Sequence, residues 1–452
     1  MFKKDFIWGV ATASYQIEGA AYEDGKGLSI WDEFCKVPGK VRDFHSGDIA
    51  CDHYHRYKED VALMKEMGVK NYRLSISWPR LLPEGIGKVN EKGVQFYHNL
   101  FDELIKNGIT PYVTLFHWDY PKALFDKGGW LNPESSKWFE EYALLIAKEY
   151  GSKIKYFMTF NEPQCFIGKS YIGDCKHAPG LRMPISDVIK MIHNMLKGHG
   201  LAVKALRENC NSDVKIGYAP TGSLYYPFNE ENSADVNAAY EMTFKTSESE
   251  KFGFDLSWYV DPVVFGTYPE DGLKMYEKYL PSNWKEDMGI ICQPLDFMGQ
   301  NNYNGQSVRV NGSDVEFLKR KVGHPRTAIN WPVTPESIKW VVKFLHQRYK
   351  LPVLITENGL SCTDVVSLDG KVHDPNRIDF YHRYLLKLQE AIDEGADVMG
   401  YFAWSFMDNF EWSEGYNERF GLVYVDFETQ ERTVKDSGYW YKKVIETNGE
   451  CL

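Results

Sequence analysis

Eight short segments rich in apolar, β-branched and aromatic residues recur along the chain, with amphipathic helical stretches in the intervals. They read as strands at Phe6–Ala13, Asn71–Trp78, Thr110–Trp118, Tyr156–Asn161, Val214–Ala219, Phe297–Tyr303, Pro352–Glu357 and Val398–Ser405. In "RYKEDVALMKEMG" Val61 and Met64 have helical spacing and Gly68 supplies the stop. Five further segments have the same helical character, among them "GVQFYHNLFDELIKNG" and "PNRIDFYHRYLLKLQEAIDEGA". Regular alternation of strand and helix implies parallel strands joined by crossovers. At 452 residues the chain is long enough for two or three domains of about 150 residues. Yet no low-complexity linker, charge block or Pro-rich hinge divides it. The expectation is therefore one α/β domain over residues 1–452, a (β/α)8 TIM barrel with long βα loops. An open doubly wound sheet has the same local pattern, and periodicity does not separate the two.

Two of these strands end on an unexpected letter. "LPVLITENG" runs from an apolar strand straight into Glu357, and "YFMTFNEP" does the same at Glu162, where a turn residue is the usual exit. A parallel barrel places its reactive groups at the C-terminal ends of its strands. By that rule the first strand leads to Gln16 and Glu18, the second carries Arg73, and the third ends on His117 and Trp118. Asn161 and Glu162 follow the fourth, Asn302 and Tyr303 the sixth, and Glu357 the seventh. Trp404, Glu411 and Trp412 follow the eighth. Two carboxylates across a pocket, ringed by amides and tryptophans, are the equipment for glycoside cleavage: one protonates the departing oxygen, the other stabilises or captures the sugar carbon. Their environments must hold the two pKa values apart. Arg73 and Tyr303 are suited to keep one glutamate charged. Glu162 has no cation in its sequence neighbourhood and is the better candidate acid.

Composition narrows the alternatives. A formal charge of -11 argues against a nucleic-acid partner, which calls for a basic face. No stretch has the eighteen or more apolar residues of a membrane span. The N-terminus "MFKKDFIWGVATASYQIEG" lacks the apolar run of a signal peptide. The eight Cys include no CxxC pair and read as unpaired thiols in a reducing compartment, so a cytoplasmic location is expected. Aromatic residues make up 15% of the chain, a surplus suited to stacking on flat faces such as sugars. "NGS" at Asn311 reads as a turn.

With "FIWGVATASYQIEG" near the start, "YRLSISWPR" at Tyr72 to Arg80, "TFNEP" at Thr159 to Pro163 and "ITENG" at Ile355 to Gly359, the chain resembles glycoside hydrolase family 1, the β-glucosidase family. The similarity runs from Phe6 to about Tyr439. The resemblance implies a (β/α)8 barrel, retention of anomeric configuration, and no metal or organic cofactor. It implies Glu357 as nucleophile and Glu162 as the acid that later acts as base. It implies Gln16, His117, Asn161, Trp404, Glu411 and Trp412 as contacts of the sugar before the cleaved bond, Arg73 and Tyr303 as contacts of the nucleophile, and Trp331 as the leaving-group platform. Asn302 is expected to support the site beside Tyr303. Thr221 stands where many members carry Asn, which leaves the leaving-group side open.

The implied activity is a retaining β-glucosidase acting on cello-oligosaccharides and on aryl or alkyl β-glucosides. The partner is then a small carbohydrate, and a homo-oligomer is compatible. A 6-phospho-β-glucosidase, or a β-galactosidase or β-fucosidase, is the alternative. Glu411 favours the neutral sugar, because two like charges 4 Å apart repel by about 4 kcal/mol at an effective dielectric of 20. A metal-dependent hydrolase is suggested by His53 and His55 in "CDHYHRY", but that pair opens a helix and no later ligand completes a set. A non-catalytic sugar-binding protein would not need both carboxylates with their Arg and Tyr.

Overall fold

The computed structural model describes residues 2–452. Eight parallel strands form the centre: β1 (Ile7–Ala11), β2 (Asn71–Ser75), β3 (Thr110–Phe116), β4 (Tyr156–Asn161), β5 (Lys215–Ala219), β6 (Phe297–Asn301), β7 (Val353–Asn358) and β8 (Val398–Trp404). Each pairs with its sequence neighbours, and β1 pairs with both β2 and β8. That last pairing closes the sheet and excludes the open doubly wound arrangement. The strands are nearly continuous hydrophobic runs because both faces are covered, one by the barrel interior and the other by helices. Inside, Tyr112, Met158, Phe297, Leu354 and Phe402 form a buried plug. A Cβ at Gly9 would lie 2.4 Å from the ring of Phe402, so glycine there admits that ring to the interior. Outside, helices such as Glu91–Lys106, Ser135–Tyr150, Ile185–Asn209 and Pro375–Asp393 bury their apolar faces on the strands.

Several strands are shorter than the sequence suggests. β2 stops at Ser75 because Trp78–Leu81 is already a helical turn with Pro near its start. β3 stops at Phe116, with Trp118 in the left-handed region at φ 78. Short strands also pair outside the barrel. Tyr225–Pro227 pairs with Gln306–Asn311, which turns back through Gly312 onto Asp314–Phe317. Val423–Val425 pairs with Arg432–Val434. These segments are short and partly exposed, so they carry little hydrophobic pattern. "NGS" at Asn311 forms that turn, with Gly312 at φ 66.

Candidate active site

The two catalytic candidates sit where the strands lose their regularity. The β7–β6 register shifts between Ile355 and Glu357, bringing Glu357 opposite Asn301. The β4–β5 register shifts between Met158 and Asn161. Such irregularities re-aim side chains at the ends of sheets. Glu162 lies at φ 41 and precedes Pro163, the first residue of the helix Pro163–Ile167. Trp118 and Trp412 also have positive φ, so three residues around one cavity hold a costly backbone conformation. The "NG" of "ITENG" has a packing reason: a Cβ on Gly359 would lie 1.8 Å from the carbonyl oxygen of Trp404. Only glycine lets the end of β7 lie that close to the end of β8.

The carboxyl groups belong to one hydrogen-bonded chain. Arg73 Nη1 donates to Glu357 Oε1 at 2.5 Å, and the Tyr303 hydroxyl donates to Glu357 Oε2 at 2.7 Å. Arg73 Nη2 donates to Asn161 Oδ1 at 2.6 Å. Asn301 Nδ2 reaches Asn161 Oδ1 at 2.9 Å and Glu162 Oε1 at 2.7 Å. Glu357 thus accepts a donor on each oxygen, as an ionised carboxylate does. Burial pushes the Glu162 carboxyl up to about 8, and the neighbouring Glu357 charge adds to the shift, against the opposing pull of the Asn301 amide and Arg73. Burial also drives Glu411 well above the ordinary carboxylate range, with Glu357 and Glu418 adding to it. Burial and Arg73 hold His117 well below its usual pKa, so the ring is neutral. Asn161 Oδ1 already receives two donors, which leaves its Nδ2 to face His117 Nε2 at 3.0 Å.

A cavity of about 410 Å³ opens above this chain, lined by His117, Glu162, Tyr303, Trp331, Glu357, Trp404, Glu411 and Trp412. Trp412 and Trp404 lie roughly parallel to the His117 ring, with centroids 6.0 and 5.9 Å away. Trp331 packs against Tyr303 at 5.2 Å on the other side. Gln16 and Asn161 bond the wall residues Glu411 and His117. Gln16 Nε2 donates to Asn409 Oδ1 and the Phe410 carbonyl, both at 2.9 Å, and reaches Glu411 Oε2 at 3.3 Å. Gln16 Oε1 and His117 Nδ1 are buried without a protein partner. Buried polar atoms need one, so both are suited to a ligand hydroxyl.

Two expectations change. The Asn302 side chain does not support the carboxylates: it accepts from the Ser337 hydroxyl at 3.1 Å, and only its backbone N–H touches Glu357, at the main-chain carbonyl. Asn301 makes the carboxylate contact instead, to Glu162 Oε1. Alternation along β6 sends adjacent side chains to opposite faces, and the registry that selects Asn301 belongs to the barrel. Glu18 is not part of the cavity wall, being held by Arg80 at 2.8 Å and Tyr97 at 2.5 Å. Glu411 lines the cavity and accepts from Gln16 Nε2 at 3.3 Å, and burial raises its pKa. The two lysines in the wall, Lys169 and Lys176, lie 3.2 and 3.9 Å from Asp174. Thr221 lines the cavity, its hydroxyl donating to the Asn301 carbonyl at 3.3 Å. His53 is buried against Asp60 at 2.7 Å, whereas His55 is exposed and reaches Asp52 and Glu23. The two rings therefore serve separate contacts. All eight cysteines are unpaired, and among the described residues no helix is long and apolar enough to cross a membrane. Sequence reasoning also missed Cys165 and His177 in the wall; neither ends a barrel strand.

The profile of the family "Glycosyl hydrolase family 1" matches residues 1–450. The chain is 45% identical to "Beta-glucosidase A" of Thermotoga maritima, covering 99% of this chain and 98% of that one. It is 44% identical to a "1,4-beta-D-glucan glucohydrolase" of Thermotoga neapolitana, covering 99% of each. The structure superposes on that of the Thermotoga maritima β-glucosidase in complex with deoxynojirimycin, with a TM-score of 0.89 and 99% of each chain covered.

Proposed function

The chain belongs to glycosyl hydrolase family 1 and is a glycoside hydrolase, and we propose that it is a retaining β-glucosidase releasing glucose from the non-reducing end of cello-oligosaccharides and simple β-glucosides. One observation carries the reading: a buried carboxyl held protonated, Glu162, is linked through Asn301, Asn161 and Arg73 to a carboxylate with a donor on each oxygen, Glu357. In the first step Glu357 attacks the anomeric carbon while Glu162 gives its proton to the leaving oxygen. Bonding to the sugar cancels the Glu357 charge, and the contribution of that charge to the raised pKa of Glu162 disappears with it. Glu162 then takes a proton from the attacking water, and the glycosyl ester is hydrolysed with net retention.

The names of the relatives support a β-1,4-glucan chain end as substrate. Glu411, Gln16 and Trp412 offer hydrogen bonds and a flat ring to neutral hydroxyls, and both lysines of the cavity wall already face Asp174. This supports a neutral sugar over a 6-phosphate. The unpaired cysteines fit a cytoplasmic setting. The experiment compares initial rates on an aryl β-glucoside and on the same compound phosphorylated at O6, with a chelator present, and follows the anomer of the released sugar by NMR. Turnover of the neutral compound with β-glucose appearing first is expected. Turnover of the phosphorylated compound alone, or α-glucose as first product, would overturn the reading.

A further inference from the structure

A second cavity, of about 860 Å³, adjoins the first and shares Gly222, Leu224 and Asn304 with it. It therefore continues the leaving-group side of the site, beyond Trp331. One wall is aromatic, formed by Tyr225, Tyr226 and Phe228 on and just after the short strand Tyr225–Pro227. Another carries three consecutive cations, Lys319, Arg320 and Lys321. All three are exposed, and among the described residues no ion pair engages them. The further arginine of the lining, Arg309, is satisfied by Glu316 at 2.9 Å. Glu336 is the one carboxylate in the lining. A protein with a formal charge of -11 thus presents a concentrated positive patch at the outer end of its cleft.

The backbone on either side of the three cations is tied to its neighbours. Leu318 N–H donates to the Ser307 carbonyl at 3.0 Å on one side, and His324 N–H closes a turn onto the Lys321 carbonyl at 3.1 Å on the other. The His324 ring bonds the Val333 carbonyl at 3.0 Å, two residues beyond Trp331. Aromatic faces for sugar rings on one wall and unpaired cations on another match a ligand that is a sugar chain first and an anion at its tip.

Resting on the β-glucosidase reading, we propose that this second cavity is a distal leaving-group subsite selecting oligosaccharides that end in a carboxylate, such as cello-oligosaccharides whose reducing end is an aldonate. The first leaving-group sugar lies over Trp331, so the carboxylate belongs on the second or a later unit. The cations act on binding and leave the chemistry of Glu162 and Glu357 unchanged.

The test compares glucose release from cellotrionate and from cellotriitol, which share an open-chain end and differ in carboxylate against hydroxymethyl. At low ionic strength kcat/KM should favour cellotrionate by about three- to tenfold, the range expected for one charge meeting a few exposed cations. The preference should vanish in about 1 M salt, where the Debye length is about 3 Å. It should also vanish in the triple variant Lys319→Gln, Arg320→Gln, Lys321→Gln, which should keep wild-type turnover of an aryl β-glucoside. Equal kcat/KM for the two trisaccharides, or a preference that survives in the triple variant, would overturn the proposal. Absence of aryl β-glucoside turnover by the wild type would instead overturn the glucosidase reading. Calorimetric binding of the same two trisaccharides to the Glu357→Gln protein reads the patch independently, and equal affinities there would overturn it.

Discussion

Glu162 and Glu357 are the same residue type within one pocket, and their surroundings differ as the proposed roles of acid and nucleophile require. Glu357 has a guanidinium and a phenol on its two oxygens, while Glu162 has burial, a negative neighbour and one amide donor. Glu357→Gln should lower kcat by at least about a thousandfold on every substrate, because no covalent intermediate can form. Glu162→Gln should slow glycosides with poor leaving groups by about 10² to 10⁴ and spare the first step of those with highly activated ones. Full activity in either variant would refute the assignment. The Asn301 amide opposes the upward shift of Glu162. An acid must be protonated to act, so kcat/KM should fall as pH rises through about 8. Asn301→Ala removes the opposing donor and should move that alkaline limb to higher pH. A limb that stays in place or moves down would show that Asn301 does not tune Glu162. The adjacent Asn302→Ala should leave the limb where it is.

Elements deliver these side chains through close packing at their ends. Gly359→Ala would place a methyl within 1.8 Å of the Trp404 carbonyl oxygen and force β7 and β8 apart. The variant should lose about 3 kcal/mol of stability or more, and its kcat should fall with it, since Glu357 is two residues away. Chemical denaturation and initial rates measure both, and a variant as active and stable as the wild type would show that the strand ends yield easily. On the outer side of β4, the Thr159 hydroxyl and His199 Nδ1 lie 2.7 Å apart, tying the helix Ile185–Asn209 to the strand that carries Glu162. Burial lowers the pKa of His199 to about 3 from an ordinary value of 6.5. The neutral ring costs nothing above 6.5. As pH falls from 6.5 toward 3 the unfolded chain takes up a proton that the native state refuses, so stability is lost. The stability advantage of wild type over His199→Gln should therefore shrink by about 2 kcal/mol between pH 7.5 and pH 5. An unchanged difference would mean that the imidazole is protonated in place.

Across the whole molecule, the C-terminal segment closes what the N-terminal segment begins. The Tyr441 hydroxyl donates to the Gly9 carbonyl at 2.8 Å, and Trp8 Nε1 donates to Asn448 Oδ1 at 2.9 Å, so the last helix covers the seam where β1 meets β8. Lys435, just ahead of that helix, is buried with its ammonium 2.6 Å from both Asp364 and Asp408. Asp408 belongs to the loop after β8 that carries Glu411, and its Oδ1 also accepts the Gly421 N–H. Removing one member of such a buried network leaves uncompensated charge. Lys435→Met should cost about 3 kcal/mol or more in chemical denaturation and raise KM by loosening the Glu411 loop. Wild-type stability in that variant would show that Arg377 and Arg419 neutralise the two aspartates unaided.

The alternation of apolar strands and amphipathic helices was enough to locate all eight barrel strands, because both faces of a covered parallel strand demand apolar residues. Glu162 and Glu357 were legible for the converse reason: a carboxylate at the end of such a strand has no packing role. Local pattern could not distinguish a closed barrel from an open sheet, since closure is the single pairing of β1 with β8. It could not choose between Asn301 and Asn302, because the parity that turns one of them toward Glu162 depends on how β6 meets the shifted end of β7. Nor could it show the pKa of Glu411 raised by burial or Lys319 to Lys321 on one cavity wall, because burial and charge neighbours are set by segments far apart in the chain. The sequence by itself determined which strands build the barrel and that Glu162 and Glu357 stand at the ends of two of them. The tertiary structure decided which face each presents and which charge it bears, because register, burial and electrostatic neighbours exist only once the barrel has closed.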